Sequence, residues 1–271
     1  MPELPDVEGF RRVLSSCGQG RRIQRVAVAD AGVLRGVSTG RLRRGLEGRR
    51  LSAPHRHGKW LIARTDDGPA LLLHFGMTGR LLCCSPDDPP HPHDRVRIGL
   101  GGGHELRYRD QRKLQGLRLA GSAAEVGRAL AGQGPDALSV GRREFRELLG
   151  GRRAGLKPLL MDQSVLAGLG NLLVDEILWR ARLHPTRPAN RLTEEDIRRL
   201  HSAMRRVLTL SVRAGEVPGR PSWLTGHRDG AAPRCPRCGT PLRRGRVGGR
   251  GTVWCPHCQP ETAATGTPGH R

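Results

Sequence analysis

Between residues 22 and 119 short apolar runs alternate with breaks of glycine, proline and aspartate: RIQRVAVAD, KWLIARTD, PALLLHFGM, GRLLCC, DRVRIGL, HELRYRD and LQGLRLAG. Seven runs of strand length in succession predict an antiparallel sandwich or barrel. Ahead of them, Val7, Phe10, Val13, Leu14 and Cys17 follow Pro5 at helical spacing, which predicts a short amphipathic helix over residues 6 to 17. Around residues 120 to 150 the period becomes helical. The clearest helix spans 193 to 214: Thr193 and Asp196 are placed to cap its start, and Ile197, Leu200, Met204, Val207 and Leu208 share one face. Residues 215 to 234, rich in Gly, Pro, Arg and Asp, read as a mobile loop, and there is no internal repeat.

With 271 residues and 36% hydrophobic content, the chain can bury a core and form two domains, or one with a small appendage. The net charge of +22 points to a polyanionic partner, because clustered cations displace counterions from phosphates. A coding sequence rich in G and C would raise the arginine count without any function, so charge alone decides nothing. The lysines are more selective: only Lys59, Lys113 and Lys157 occur among 47 basic residues, a pattern that fits sites needing a compact ammonium. The start lacks a basic flank and an apolar core of signal-peptide type, and no run approaches a membrane span. A cytoplasmic or nucleoid-associated protein is expected, with Cys17, Cys83 and Cys84 as buried thiols of a reducing compartment.

Four further cysteines form CPRC and CPHC, sixteen residues apart. Each pair can aim two thiolates at one tetrahedral ion, so Cys235, Cys238, Cys255 and Cys258 predict one structural Zn2+ in a zinc ribbon, with His257 not needed as a ligand. Disulfides or redox pairs are the competing explanation. The ribbon would stiffen the hairpin LRRGRVGGRGTVW, whose Arg243, Arg244, Arg246 and Arg250 suit phosphate contacts, or simply a solvated turn. In GLGN, Gly168 and Gly170 permit a tight turn and Asn171 can cap the next helix. Such an end binds phosphate, though a packing corner explains the same residues. Asp175 and Glu176 would then complement the helix dipole.

Together, MPELPDVE, HGKW, HFGMTG, PHDRVR, RDQRKL, GLKPLLMDQ, GLGN and GGRGTVWCPHC cover almost the whole chain. Their order and spacing resemble the formamidopyrimidine-DNA glycosylase and endonuclease VIII family, closer to the formamidopyrimidine branch. The resemblance implies an α+β fold: an N-terminal antiparallel β-sandwich with an N-terminal helix, a C-terminal helix-two-turn-helix domain and a zinc-ribbon finger. The expected divisions are a catalytic domain over 1–131, a helix-two-turn-helix domain over 132–214, a lesion-capping loop over 215–234, the finger over 235–260 and a flexible tail over 261–271. The implied partner is double-stranded DNA containing damaged bases or abasic sites, bound by a monomer in a basic cleft, with the damaged nucleotide extruded.

The implied activity is that of a bifunctional DNA glycosylase and AP lyase of base-excision repair, cutting by β- and δ-elimination. Once Met1 is removed, Pro2 would offer a secondary amine. An α-amine has an ordinary pKa of about 8, against about 10.4 for lysine, so part of it is uncharged near neutrality. Its attack on C1′ of the sugar gives an iminium electron sink. Glu3 resembles the family's proton shuttle. Lys59 and Arg250 resemble its hairpin and finger cations, and His93, Arg112, Arg152, Lys157 and Asn171 fall at DNA-contacting positions. Met77, Arg112 and Leu114 match the side chains that fill the hole left by extrusion.

Three departures bear on specificity. Leu114 stands where the family usually has phenylalanine, Asp6 replaces a glutamate, and the 215 to 234 loop is shorter by about ten residues. The loop carries the family's cap over an oxidised purine. Ring-opened purines, oxidised pyrimidines and abasic sites are therefore expected to be better substrates than 8-oxoguanine. The alternatives are a non-catalytic DNA-binding zinc protein, or a glycosylase specialised for bulky or crosslinked adducts.

Overall fold

The computed structural model describes residues 1–66 and 68–261, so the expected tail lies, but for Glu261, outside the described residues. By contacts the chain forms two units: Met1–Asp136 with Val212–Glu216, and Ala137–Ser211 with the chain from Val217 onward.

The first unit opens with α1 (Leu4–Gly18) and continues through β1 (Ile23–Val28) and α2 (Thr39–Leu46). The strands β2 (His55–His57), β3 (Trp60–Arg64), β4 (Ala70–His74), β5 (Arg80–Cys84), β6 (Asp94–Leu100), β7 (His104–Arg109) and β8 (Leu117–Ala120) follow, and then α3 (Ala123–Leu130). Two four-stranded sheets result, in the orders β1-β6-β7-β5 and β2-β3-β4-β8, with every pairing antiparallel. One core joins inward residues of both, among them Val96, Ile98, Leu106 and Tyr108 from the first sheet and Leu61, Ala63, Leu71 and Leu73 from the second. Val7, Leu14 and Cys17 of α1 belong to the same core. The outer face of the second sheet is covered as well: Trp60, Ile62 and Leu72 pack with Val126 of α3. Burial on both faces is why WLIA and ALLL read as continuous apolar runs, whereas DRVRIGL, whose burial alternates along β6, reads with a period of two.

The sandwich expectation holds, with two additions. Seven runs became eight strands, because the polar three-residue β2 left no apolar signal. The helix α2 also interrupts the strand region; Ser38 caps it by accepting from the Arg41 N–H at 3.2 Å, and Leu42 and Leu46 are its buried residues. A third difference concerns the cysteines. Cys17 and Cys83 form a disulfide with a Cα–Cα distance of 6.0 Å, so they are not the separate thiols expected; Cys84 is free and half-buried.

The second unit contains α4 (Arg142–Leu149), α5 (Leu156–Met161), α6 (Asn171–Ala181), most of α7 (Glu194–Ala214) and the hairpin β9 (Arg243–Val247) with β10 (Arg250–Trp254). The start of α7 carries the expected cap: Asp196 N–H donates to Thr193 Oγ1 and Thr193 N–H to Asp196 Oδ2, both at 3.1 Å. Its predicted apolar face is buried from Ile197 to Leu208. Gly248 and Gly249 turn the β9–β10 hairpin with φ of 57° and 74°, a two-residue loop that glycine enters without strain.

The 215 to 234 segment is fastened, not loose. Trp223 and Leu224 are buried, Thr225 N–H donates to Glu176 at 3.2 Å, and Arg244 holds the carbonyls of Arg228 and Gly230 at 2.7 and 2.6 Å. No helix among the described residues is long and apolar enough to cross a membrane.

Candidate functional site

In the first unit the N-terminal residues lie on a cleft of about 810 Å³, where Pro2 and Asp6 share the wall with Met77, His91, His93 and Arg109. The chain reaches it because Pro2 directly precedes Glu3, the N-cap of α1. Leu4 and Val7 are fully buried, Pro5 fits the first helical turn, and Glu3 stands at the N-cap position with 1% exposure. Glu3 N–H donates to Asp6 Oδ2 at 2.8 Å, so the shorter carboxylate still reaches back to the helix start. Burial raises the Asp6 pKa against the lowering effect of that amide.

On the same lining, the turn carrying Met77 is tied to the loop of residues 110 to 115. Arg112 Nη1 donates to Met77 Sδ at 3.0 Å, and the Arg112 N–H reaches both Thr78 Oγ1 and Asp110 Oδ1 at 3.1 Å. Lys113 takes a left-handed φ of 51° at the crest of this loop; its ammonium pairs with Asp30 at 2.9 Å and its carbonyl accepts from Arg35 at 2.7 Å. The Lys113 hydrogen bond holds the Asp30 carboxyl below its ordinary range. Lys113 therefore fixes a loop, a role the sequence left unassigned. Among the described residues, the exposed large hydrophobics are Met1, Met77 and Leu114, the last 50% exposed. Large apolar side chains held out in water beside a cation are what a wedge into stacked bases requires. Leu114→Ala is expected to change stability by less than about 0.5 kcal/mol, as for an exposed site. Single-turnover excision should slow roughly tenfold, from about 1.4 kcal/mol of lost wedge contact. Thermal melting and excision kinetics on the same preparation check this; equal excision rates would remove the wedge role.

Lys59 is not on the cleft wall; it occupies the two-residue turn between β2 and β3, after Gly58 with φ of 55°. Sequence reasoning missed what holds this turn. Asp136 accepts the Gly58 N–H at 2.6 Å and pairs with Arg56, whose guanidinium also reaches Glu8 of α1 at 3.3 Å and the Gly58 carbonyl at 2.8 Å. No local signal links residue 136 to residue 58.

Behind the turn, His74 meets the Trp60 ring edge-on at 4.8 Å, and its Nδ1 accepts the Gly76 N–H at 3.1 Å. Burial, helped by the Lys59 charge, holds its pKa down to about 4, so the imidazole is neutral near pH 7. The unfolded chain takes up this proton near pH 6.5 and the folded chain only near 4, so the associated stability is present above pH 6.5 and lost as pH falls through that window. The expected loss is on the order of 2 kcal/mol, and His74→Gln should lack it. Denaturant titrations at about pH 7 and about pH 4.5 measure it; the same pH dependence in both proteins would refute the assignment.

In the second unit, three donors converge on the carbonyl of Gly251, next to Arg250: Asn171 Nδ2 at 3.0 Å, Lys157 Nζ at 3.1 Å and Arg228 Nη2 at 2.9 Å. Arg250 itself is exposed. Lys157, expected at a DNA-contacting position, is fully buried, and its ammonium donates to Asp175 at 2.6 Å and to the Gly251 carbonyl of the hairpin at 3.1 Å. Asn171 is the first residue of α6 and not its cap, which is Gly170; its amide is committed to the hairpin. Asp175 and Glu176 are likewise not solvated dipole partners but buried acids, bound to Lys157 and Arg228 and to Arg180. Arg152 is exposed, its Nε donating to the Leu148 carbonyl at 2.9 Å. His93 is half-buried beside Arg95, 3.1 Å from its Nδ1.

The four cysteines of the finger converge. Sγ separations are 3.9 Å for Cys235 and Cys258, 3.6 Å for Cys238 and Cys255, and 3.5 Å for Cys238 and Cys258. Zinc–sulfur bonds of about 2.3 Å give tetrahedral edges of about 3.8 Å, so the set fits one Zn2+ with no open position. Trp179 supports it, with its indole N–H 3.3 Å from Cys235 Sγ, and joins Leu224, Leu242 and Val253 in a small core with Cys235, Cys255 and Cys258.

Comparison with known proteins agrees along the chain. Residues 1–117 match the formamidopyrimidine-DNA glycosylase N-terminal domain, residues 132–219 its H2TH domain, and residues 233–260 the zinc finger found in FPG and IleRS. The formamidopyrimidine-DNA glycosylase of Symbiobacterium thermophilum is 40% identical, with 96% of this chain and 90% of the relative covered. That of a Nocardioides species is 37% identical, covering 96% and 95%. Among solved structures, the Lactococcus lactis FPG (MutM) in complex with Fapy-dG-containing DNA superposes with a TM-score of 0.87 at 29% identity, covering 96% of this chain and all of that one. MutM in complex with carbocyclic 8-oxo-G-containing DNA gives 0.88 at 30%, with the same coverage. The chain belongs to the formamidopyrimidine-DNA glycosylase family.

Proposed function

We propose that, in the base-excision glycosylase and AP-lyase reaction of its family, this chain uses the amine of Pro2, freed by removal of Met1, as nucleophile. The observation that carries the reading is a cleft lined by both Pro2 and Met77, the latter accepting a hydrogen bond from Arg112 of the loop that also bears Leu114. The amine attacks C1′ of an extruded deoxyribose and gives up its proton, the bond to the damaged base breaks, and the base departs with a proton; the C1′–O4′ bond then opens, O4′ taking a proton, and leaves the iminium ion. Loss of a proton from C2′ of the iminium then expels the 3′ phosphate. A second elimination expels the 5′ phosphate. Glu3, buried one residue from the nucleophile, is the proposed proton carrier. Lys59, held by the Asp136 and Arg56 brace, and Arg250, on the finger hairpin, are the proposed phosphate contacts. The partner is double-stranded DNA carrying damaged bases or abasic sites, met in the cytoplasm at the nucleoid. Borohydride reduction during reaction with an abasic duplex tests this: covalent capture through the Pro2 nitrogen is expected, and absence of capture would leave a DNA-binding protein.

The fastened 215 to 234 segment supports a second proposal, on specificity. Its ties to Glu176 and Asp175 oppose folding over a base. Ring-opened purines, oxidised pyrimidines, abasic sites and bulkier adducts are therefore the preferred substrates. Single-turnover cleavage of a lesion panel decides; a clear preference for 8-oxoguanine opposite cytosine would reject it.

A further inference from the structure

Cys17, Cys83 and His104 meet in the first unit, away from the zinc finger, with their sulfur and ring-nitrogen atoms all within 4.8 Å of one another. Cys17 is in the buried last turn of α1, Cys83 is on the exposed side of β5, and His104 begins β7, the neighbour of β5 in the sheet. The structure shows the two sulfurs joined. A disulfide has no use for a third donor, yet the half-buried His104 ring is aimed at the pair and has no hydrogen-bond partner among the described residues. In a reducing compartment the bond would not persist, and two thiols beside an imidazole would remain.

We propose that the reduced trio is a second metal site, taking a thiophilic cation such as Zn2+ on two thiolates and one imidazole, with the fourth position open to solvent past Cys83. Bonds of about 2.3 Å to sulfur and about 2.0 Å to nitrogen require donor atoms about 3.5 to 3.8 Å apart. The trio reaches that spacing by parting the sulfurs and small side-chain rotations. Two thiolates cancel the ion's charge, which suits a chain already at +22. Metal and disulfide exclude each other, because the bonded sulfurs are neutral and lack the anionic charge with which a thiolate holds the ion. Either state fastens the end of α1 to β5, so the clasp stays closed whether the cysteines are oxidised or reduced. Opening the disulfide takes a two-electron reductant. With a phosphine, phosphorus attacks one sulfur and the S–S bond breaks; water then gives its oxygen to phosphorus and its protons to the two thiolates.

The test is zinc content of the full chain after phosphine reduction without oxygen, equilibration with Zn2+ and desalting. Wild type is expected to hold one zinc more than His104→Gln and than Cys83→Ser. It should also hold one more than wild type that was never reduced. The finger contributes equally to all four samples, so the difference does not depend on it. Equal zinc in reduced wild type and His104→Gln would overturn the proposal. Should either variant fail to fold, the reduced and unreduced wild-type samples decide alone, and equal content there would overturn it too.

Discussion

Replacing Pro2 with glycine, in protein processed to expose that residue, is expected to slow strand cleavage at an abasic site by roughly a hundredfold or more. Affinity for the same duplex is retained. Glycine keeps a terminal amine, so the experiment changes the chemistry and not the charge at the chain's tip. A primary amine condensing with the sugar gives an imine, which needs a further proton before it draws electrons. The secondary amine of proline gives a cation directly. The ring also fixes the direction of the nitrogen lone pair relative to Cα, whereas the glycine amine turns freely about its N–Cα bond. Single-turnover kinetics with binding measured in parallel separates the two effects. Wild-type cleavage by the variant would transfer the nucleophile to another amine, with Lys59 the first to examine.

Replacing Cys255 with serine is expected to weaken binding of an abasic duplex by about a hundredfold, the loss of two charge-assisted phosphate contacts at about 1.5 kcal/mol each. Cys255 is fully buried, and its sulfur also accepts the Cys258 N–H at 3.3 Å. Structural zinc supplies about 10–16 kcal/mol of folding free energy in isolated fingers, so a three-thiolate remnant should leave the β9–β10 hairpin without a fixed base. Residues 1 to 136 keep their own core, and borohydride capture at saturating protein should persist. Zinc analysis and fluorescence anisotropy measure the two consequences. Unchanged affinity in protein shown to lack finger zinc would detach the finger from DNA recognition.

The parts of the fold legible in the sequence are those whose burial leaves a period. β6 alternates and α7 carries an apolar stripe between recognisable caps, so both are readable from seven to twenty residues of context. In α2, by contrast, Leu42 and Leu46 stand among arginines and two glycines, and β2 is the polar HRH, present because it pairs with β3. The metal site was legible because its ligands come in two local pairs. Lys157 was not, since its burial depends on Asp175 and on a carbonyl 94 residues away. The Cys17–Cys83 bond spans 66 residues, and the brace from Asp136 to Gly58 spans 78; neither leaves a trace in local composition.

The proposed nucleophile stands ahead of a helix and inherits the tendency of chain ends to fray, which this fold counters within one turn. Leu4 and Val7 anchor that turn in the core while Asp6 ties down the Glu3 amide. Unwinding of the first turn of α1 would carry the reacting nitrogen away from the sugar long before the sandwich itself opened. Amide exchange at Val7, whose N–H donates to the Glu3 carbonyl at 3.1 Å, therefore reports the fraction of molecules that hold the proposed nucleophile in place, and global denaturation does not.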